Sequence, residues 1–212
     1  MCTGRIDLSF IFRSLMKGAN GVFIGGCYLG ECHYVTEGNF DAYANTQVSK
    51  KLLEYIGLNP NRLRIEWISA SEGTRFAELM TEFEKEQKEI GVLGEAEGID
   101  KDVLKFRLEA VNNLIPYIKL VLREKMRVPN KKEADYHEFF KSEEFNSLFN
   151  DLIASKLVIS QIMLLLKEKP YSSREISDTL NIDSSDVSRY MNTSSRQGLV
   201  QYNVKNKSYT LA

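Results

Sequence analysis

Cys2, Cys27 and Cys32 are the three cysteines of the chain, and all lie near its N-terminus. Four residues separate Cys27 from Cys32 in the run Gly25-Gly26-Cys27-Tyr28-Leu29-Gly30-Glu31-Cys32-His33. Iron–sulfur clusters are held by thiolates that project from a loop able to wrap the inorganic core, and this spacing is one of the recurring solutions. Gly25, Gly26 and Gly30 suit such a loop. Without side chains, they let the backbone approach the cluster and aim N–H groups at its sulfurs, which stabilises the negative charge. Cys2, in Cys2-Thr3-Gly4-Arg5, is a third candidate ligand at the start of a helix, with Arg5 near enough to offset cluster charge. Two other readings stay open. Thiols also serve as small buried apolar side chains. A Cys3His set suits zinc, and His33 is adjacent, although it directly follows Cys32 and one metal seldom takes both neighbours.

Little else in the chain points to chemistry. Only two histidines are present, His33 and His137, and neither a nucleophile–base pair nor a dinucleotide fingerprint is visible. Electron transfer without substrate chemistry is therefore expected. Trp67 sits in an alternating apolar segment and reads as core. The loop Ser69-Ala70-Ser71-Glu72-Gly73 suits an anion at a helix N-terminus, but helix capping explains its serines equally well.

The elements that must position the cysteines follow from periodicity. Leu8, Ile11, Phe12 and Leu15 recur at helical spacing, Gly18 and Gly21 punctuate the chain, and Val22-Phe23-Ile24 forms a strand ending at Gly25-Gly26. A helix over residues 40–55 carries Val48, Leu52 and Ile56 on one face and ends at Gly57 and Pro60. A second strand covers residues 63–68. A third helix, from Ser71 or Glu72, turns Phe76, Leu79, Met80 and Phe83 toward a core. Helices alternating with short strands predict a parallel sheet of the α/β class, although two strands alone cannot make one buried on both faces. Residues 91–98 read as a linker. Beyond it Asp100 caps a helix with Val103, Leu104, Leu108 and Val111, which Pro116 must kink or break before it resumes toward Met126. A loop around Pro129 precedes a Phe-rich helical region over 136–152.

The last 60 or so residues have a clear plan. A strongly apolar helix over 157–166 is followed by Ser172-Ser173-Arg174-Glu175, a capping box opening a short helix with Ile176 and Leu180. A further helix starts at Asp183 or Ser184, carries Val187, Tyr190 and Met191, and ends at Gly198. Two strands, 199–204 and 208–211, meet at Lys205-Asn206-Lys207. Three helices and a hairpin make a winged helix-turn-helix. Its candidate recognition helix offers Ser185, Ser188, Arg189, Asn192 and Thr193, with Arg196 beyond it, while Asp183 and Asp186 oppose phosphate at its entrance. Such modules also dock proteins, so nucleic acid is the second candidate partner here.

Three regions are thus expected: an iron–sulfur domain over 1–92 with an incomplete parallel sheet, a helical connector over 93–152, and a winged helix-turn-helix over 153–212. The formal net charge of −1 excludes a globally basic nucleic-acid binder. Apolar residues at 43% and charged residues at 27% are ordinary for a globular protein. With no run of about 18 consecutive apolar residues and no secretory pattern in Met1-Cys2-Thr3-Gly4-Arg5, the expected location is the cytoplasm, away from membranes. Clustered cysteines there point to metal or redox chemistry rather than a lasting disulfide.

Four segments occurring in order carry a resemblance to a known family: Cys2-Thr3-Gly4-Arg5-Ile6-Asp7, Gly21-Val22-Phe23-Ile24-Gly25-Gly26-Cys27, Gly30-Glu31-Cys32-His33-Tyr34 and Glu66-Trp67-Ile68-Ser69-Ala70-Ser71-Glu72-Gly73. Residues 1 to about 90 resemble the delta subunit of methyl-viologen-reducing hydrogenase. The resemblance implies a 2Fe-2S cluster held by Cys2, Cys27 and Cys32. It also implies a relay of electrons between a hydrogenase or formate dehydrogenase and a heterodisulfide-reductase-like flavoprotein, whose flavin subunit bifurcates them. A redox-responsive DNA-binding regulator is the alternative, motivated by a cluster-like loop fused to a winged helix. Family members carry a strand, a helix and further cysteines before the Cys-Thr-Gly-Arg motif. A 2Fe-2S cluster takes four ligands, so a truncated reading of a longer chain is expected, the missing piece supplying the fourth ligand and another strand.

Overall fold

A computed structural model describes residues 2–35 and 37–212. The chain divides into two compact units, Met1–Ile153 and Ala154–Ala212. The first opens with α1 (Leu8–Met16), capped by the Asp7 carboxylate, which accepts from Ser9 N–H at 2.9 Å. Its apolar stripe, Leu8, Ile11, Phe12 and Leu15, is buried as the spacing predicts. Next come β1 (Val22–Gly26), α2 (Asn39–Tyr55), β2 (Leu63–Trp67) and α3 (Gly73–Ile90). β1 and β2 pair in parallel, from Val22 opposite Leu63 to Gly26 opposite Trp67. Parallel neighbours need a crossover, and α2 provides it. This small parallel sheet among many helices is compatible with the expected α/β class.

Three expectations fail here. Phe83 is buried against Phe23, with ring centroids 5.6 Å apart, but Phe76 and Met80 remain 47% and 36% exposed rather than entering a core. A two-stranded sheet offers too little surface to cover a whole helix face. Secondly, Pro116 does not break its helix: α4 (Lys101–Glu124) continues through it. The proline removes one ladder hydrogen bond, while Ile115 and Ile118 on either side are buried and hold the segment helical.

Thirdly, residues 91–98 are no loose linker. They fold around Arg62, whose side chain is fully buried just before β2. Its guanidinium donates to both Glu97 oxygens, at 2.7 and 3.0 Å, and to the carbonyls of Asn20 (2.9 Å), Gly91 (3.0 Å) and Val92 (3.3 Å). Leu93 is buried in the same turn.

The Phe-rich region is two helices, α5 (Glu133–Lys141) and α6 (Glu143–Leu148), followed by a π-helical turn at Phe149–Ala154. Ser142 separates them by accepting from Phe145 N–H at 3.1 Å, a cap that ends one helix and begins the next. The Phe40 ring from α2 packs with Tyr136, that of Tyr43 with Tyr136 and Phe140, and Phe140 with Phe145. Residues 93–152 thus fall within the first unit, and the helices expected as a connector pack on it.

The second unit contains α7 (Ser155–Glu168), α8 (Ser173–Leu180), α9 (Ser184–Arg196), β3 (Val200–Asn203) and β4 (Ser208–Leu211). β3 and β4 form an antiparallel pair, and Tyr171 and Tyr209 exchange backbone hydrogen bonds at 3.2 and 2.7 Å. Leu157, Ile162, Ile176, Val187, Met191 and Val200 are buried in it. Among the described residues one helical run, Glu143–Glu168, is long and apolar enough to cross a membrane by length and composition, although it holds no run of about 18 consecutive apolar residues. Phe145, Phe149, Leu157, Val158 and Ile162 in it are buried, while Leu148, Leu152, Ile159 and Met163 are partly exposed.

Candidate metal centre

The strand end is fastened to the residue after β2 by backbone and to the N-terminal segment by a side chain. Gly26 carbonyl, at the close of β1, accepts from Ile68 N–H at 2.7 Å, and Thr3 Oγ1 donates to Gly25 carbonyl at 3.0 Å. The Thr3 bond holds the 3-10 turn Thr3–Arg5 beside the point where Cys27 leaves the sheet. Cys2 caps that turn, its Sγ accepting from Gly4 N–H at 3.4 Å. Cys2 Sγ and Cys32 Sγ stand 3.5 Å apart. Two thiolates on one tetrahedral ion, with metal–sulfur bonds of about 2.3 Å, lie about 3.8 Å apart, so this pair has the spacing of two ligands on one metal. Among the described residues, no three His, Cys, Asp or Glu side chains form a ready single-ion site. His33 is exposed and packs edge-on against Tyr34, with centroids 5.3 Å apart.

Cys2 and Cys27 are half-buried. Burial pushes the Cys27 pKa up, and the neighbouring Cys32 and Cys2 thiols push in the same direction. Cys32 is buried, which alone would raise its pKa, yet the backbone N–H groups of Asn39 and Tyr34 and the thiols of Cys2 and Cys27 hold it below the ordinary value. Cys32 and Cys27 are thus shifted in opposite directions, and Cys32 carries negative charge more easily than Cys27.

The glycines divide by role. A side chain on Gly26 would press on the Trp67 ring at 3.0 Å and on Thr3 at 3.2 Å, whereas one on Gly25 would make only ordinary contacts. Gly30 faces open space but adopts φ +87°, a conformation few other residues tolerate. The N–H groups aimed at thiols come from Gly4, Tyr34 and Asn39. Arg5 is exposed. The donor set suits an iron–sulfur cluster in kind, since three thiols meet in a backbone cradle. A 2Fe-2S cluster takes four ligands, and these cysteines supply three.

A family model described as methyl-viologen-reducing hydrogenase, delta subunit, matches residues 1–91. An F420-non-reducing hydrogenase vhu iron-sulfur subunit from Methanopyrus kandleri is 39% identical over 92 residues, covering 43% of this chain and 69% of that protein. The chain belongs to this delta-subunit family. An F420-non-reducing hydrogenase iron-sulfur subunit from Archaeoglobus profundus is 49% identical over 90 residues, 42% of this chain and 65% of that protein. A ferredoxin:CoB-CoM heterodisulfide reductase subunit from Methanosarcina mazei is 50% identical over 94 residues, 44% of this chain but 12% of that protein.

Several residues of the delta-subunit segment that shape the thiol patch carry no sequence signal. Gly38 lies against Cys32, so that an added Cβ would strike Cys32 Sγ and Tyr34 carbonyl. Asn39, fully buried, donates from Nδ2 to the carbonyls of Cys27 and Tyr28, both at 2.6 Å, and approaches Cys27 Sγ at 3.6 Å. Tyr28 hydroxyl donates to Glu72 at 3.0 Å and accepts from Arg75 Nη1 at 3.0 Å. Glu72 in turn accepts from Ser69 N–H at 2.7 Å. The cysteine loop is thereby fastened to the start of α3, and those serines belong to a turn closed by Glu72.

Proposed function

We propose that the first unit is an iron–sulfur electron-transfer module, and that the chain relays electrons between a hydrogenase or formate dehydrogenase and a heterodisulfide-reductase-like flavoprotein in the cytoplasm. The observation that carries this reading is the gathering of thiols at the carboxyl end of β1, with Cys2 and Cys32 3.5 Å apart in a segment of the delta-subunit family. A 2Fe-2S cluster bound there supplies one-electron transfer. Cys2, Cys27 and Cys32 would hold it. Asn39 fixes the Cys27 carbonyl and aims that thiol, and the N–H groups of Gly4, Tyr34 and Asn39 favour the thiolates.

The choice of partners rests on two similarities. The same stretch resembles a small part of a heterodisulfide reductase polypeptide and most of a hydrogenase iron-sulfur subunit, so one module serves in both settings. The second unit we read as a winged helix-turn-helix appended to this module, on its order of three helices and a hairpin.

Anaerobic reconstitution with iron and sulfide tests the first claim. A brown protein carrying about two irons per chain and a rhombic signal on reduction is expected. Cys2→Ser, Cys27→Ser and Cys32→Ser should each lower iron content. A colourless, iron-free product from well-folded protein would overturn the assignment.

A further inference from the structure

The second unit offers a surface that the electron-transfer role does not use. α8 begins with a reciprocal capping box, in which Ser172 Oγ accepts from Glu175 N–H at 3.3 Å and Glu175 accepts from Ser172 N–H at 2.8 Å. The helix stops at Asn181, which adopts the left-handed region at φ 52°. Three bonds then lock the turn into α9. Ile182 N–H donates to Ser177 carbonyl at 3.2 Å, Ser177 Oγ donates to Ile182 carbonyl at 2.6 Å, and Ser184 Oγ donates to Ser177 Oγ at 3.2 Å. Two short helices joined by a rigid turn present the second one outward.

α9 buries Val187, Met191 and Ser194. Its opposite face exposes Ser185, Ser188, Arg189, Asn192 and Arg196, which recur at steps of three and four and so form one stripe. These side chains are of the types that read base edges and hold phosphates. Lys205 and Lys207 are exposed at the tip of the β3–β4 hairpin, where Lys207 takes φ 49°. Asn203 Oδ1 accepts from the N–H groups of Lys205 and Asn206 and closes that turn. Among the described residues Arg196, Lys205 and Lys207 form no ion pair, whereas Arg189 is held by Asp186 at 2.8 Å. Residues 154–212 hold eight Lys and Arg against five Asp and Glu, an excess opposite in sign to the whole chain's −1.

We propose that residues 154–212 bind duplex DNA, with the exposed stripe of α9 in the major groove and Lys205 and Lys207 on the flanking backbone. The inference rests on the winged-helix reading of this unit. A helix fits the major groove, and a cationic hairpin tip beside it fits the adjacent phosphates. Asp186 acts as a brake. It occupies Arg189 in the free protein and places a carboxylate at the entrance of the groove, so binding requires Arg189 to exchange Asp186 for DNA.

The test is fluorescence anisotropy of the full chain with a labelled mixed-sequence duplex of about 24 base pairs, titrated from about 50 to 200 mM salt, a range over which phosphate contacts are strongly screened. Non-specific binding is expected with Kd of roughly 10⁻⁴ to 10⁻⁶ M, weakening steeply with salt. The Lys205→Ala/Lys207→Ala double variant should lower the log–log salt slope by about 1.8, two phosphate contacts at about 0.9 each. Asp186→Ala should tighten binding several-fold, Arg189→Ala should weaken it, and Lys101→Ala on α4 should change nothing. Amide hydrogen exchange on the same samples separates the two levels of the claim. No duplex binding up to about 100 µM at low salt, far above the range expected of a DNA binder, with α8 and α9 amides protected, overturns DNA binding alone and leaves a protein-docking module. Unprotected α8 and α9 amides overturn the winged-helix reading as well. Equal affinity for single-stranded DNA, or a salt slope unmoved by the lysine variant, also refutes the proposal.

Discussion

Glu97→Gln isolates one charge in the first unit. The Glu97 carboxylate accepts four N–H groups. Oε1 takes Arg62 Nε at 2.7 Å and Asn59 N–H at 3.1 Å, and Oε2 takes Arg62 Nη2 at 3.0 Å and Gly94 N–H at 2.9 Å. Glutamine matches the shape but has one oxygen. Whichever way its amide turns, an NH2 faces two donors, and the fully buried Arg62 loses its counter-charge. Two charge-assisted bonds at about 1.5–3 kcal/mol each agree with the roughly 3–5 kcal/mol observed when one partner of a buried pair is removed. With a urea m-value of about 2 kcal/mol/M, the midpoint should fall by about 1.5–2.5 M. Trp67 is the sole tryptophan and lies in the first unit, so its fluorescence reports that unit's unfolding.

The same substitution makes a pH prediction. Burial alone would raise the Glu97 pKa, but hydrogen bonds from Arg62, Asn59 and Gly94 and the guanidinium charge hold it below its ordinary value of 4.5. A carboxyl depressed on folding contributes stability that is fully present above the unfolded pKa and is lost as pH falls through the folded one. The gap between wild type and Glu97→Gln should therefore be constant at neutral pH and narrow below pH 4.5. A stability loss under about 1 kcal/mol, well short of a broken buried pair, or a gap that persists unchanged into acid, would refute the account of Arg62 as a charge satisfied by Glu97.

Three further substitutions test other parts of the structure. Gly38→Ala should push Cβ into Cys32 Sγ, exposing that thiol to faster modification by a disulfide reagent and cutting iron uptake on reconstitution; unchanged thiol kinetics would count against the packing described. Ser172→Ala should cost the second unit about 1 kcal/mol, read as faster amide exchange in α8 with the Trp67 transition unmoved. Tyr28→Phe removes the hydroxyl linking Glu72 and Arg75, so amides of the cysteine loop and of residues 69–72 should exchange faster together, whereas a change in one segment alone would show that Tyr28 does not couple them.

What could be read in advance follows from the range of the interactions concerned. The α1 stripe, the α9 core positions Val187 and Met191 and the Ser172–Glu175 capping box all depend on residues within about two helical turns, and each is where periodicity puts it. The cysteines are legible by type and spacing. Gly38, Asn39 and Tyr28 are not, because what matters about them is contact with atoms elsewhere in the chain, such as Asn39 with the Cys27 carbonyl or Tyr28 with Glu72. Arg62 is the sharpest miss, since a lone arginine beside Asn59, Pro60 and Asn61 reads as exposed. Its burial also bears on the thiols. Arg62 grips the Asn20 carbonyl just before β1 and stands just before β2, while Ile68 N–H meets Gly26 carbonyl at the far end of the pair. The register of β1 on β2 is thus pinned at both ends. A slip of one residue would exchange the faces of the strand, turning Ile24 out of the core and moving Cys27 along the sheet edge, away from Cys32 and from the Cys2 turn held by Thr3 on Gly25. An arginine far from any chemistry therefore helps to decide where the first thiol of the cysteine loop stands.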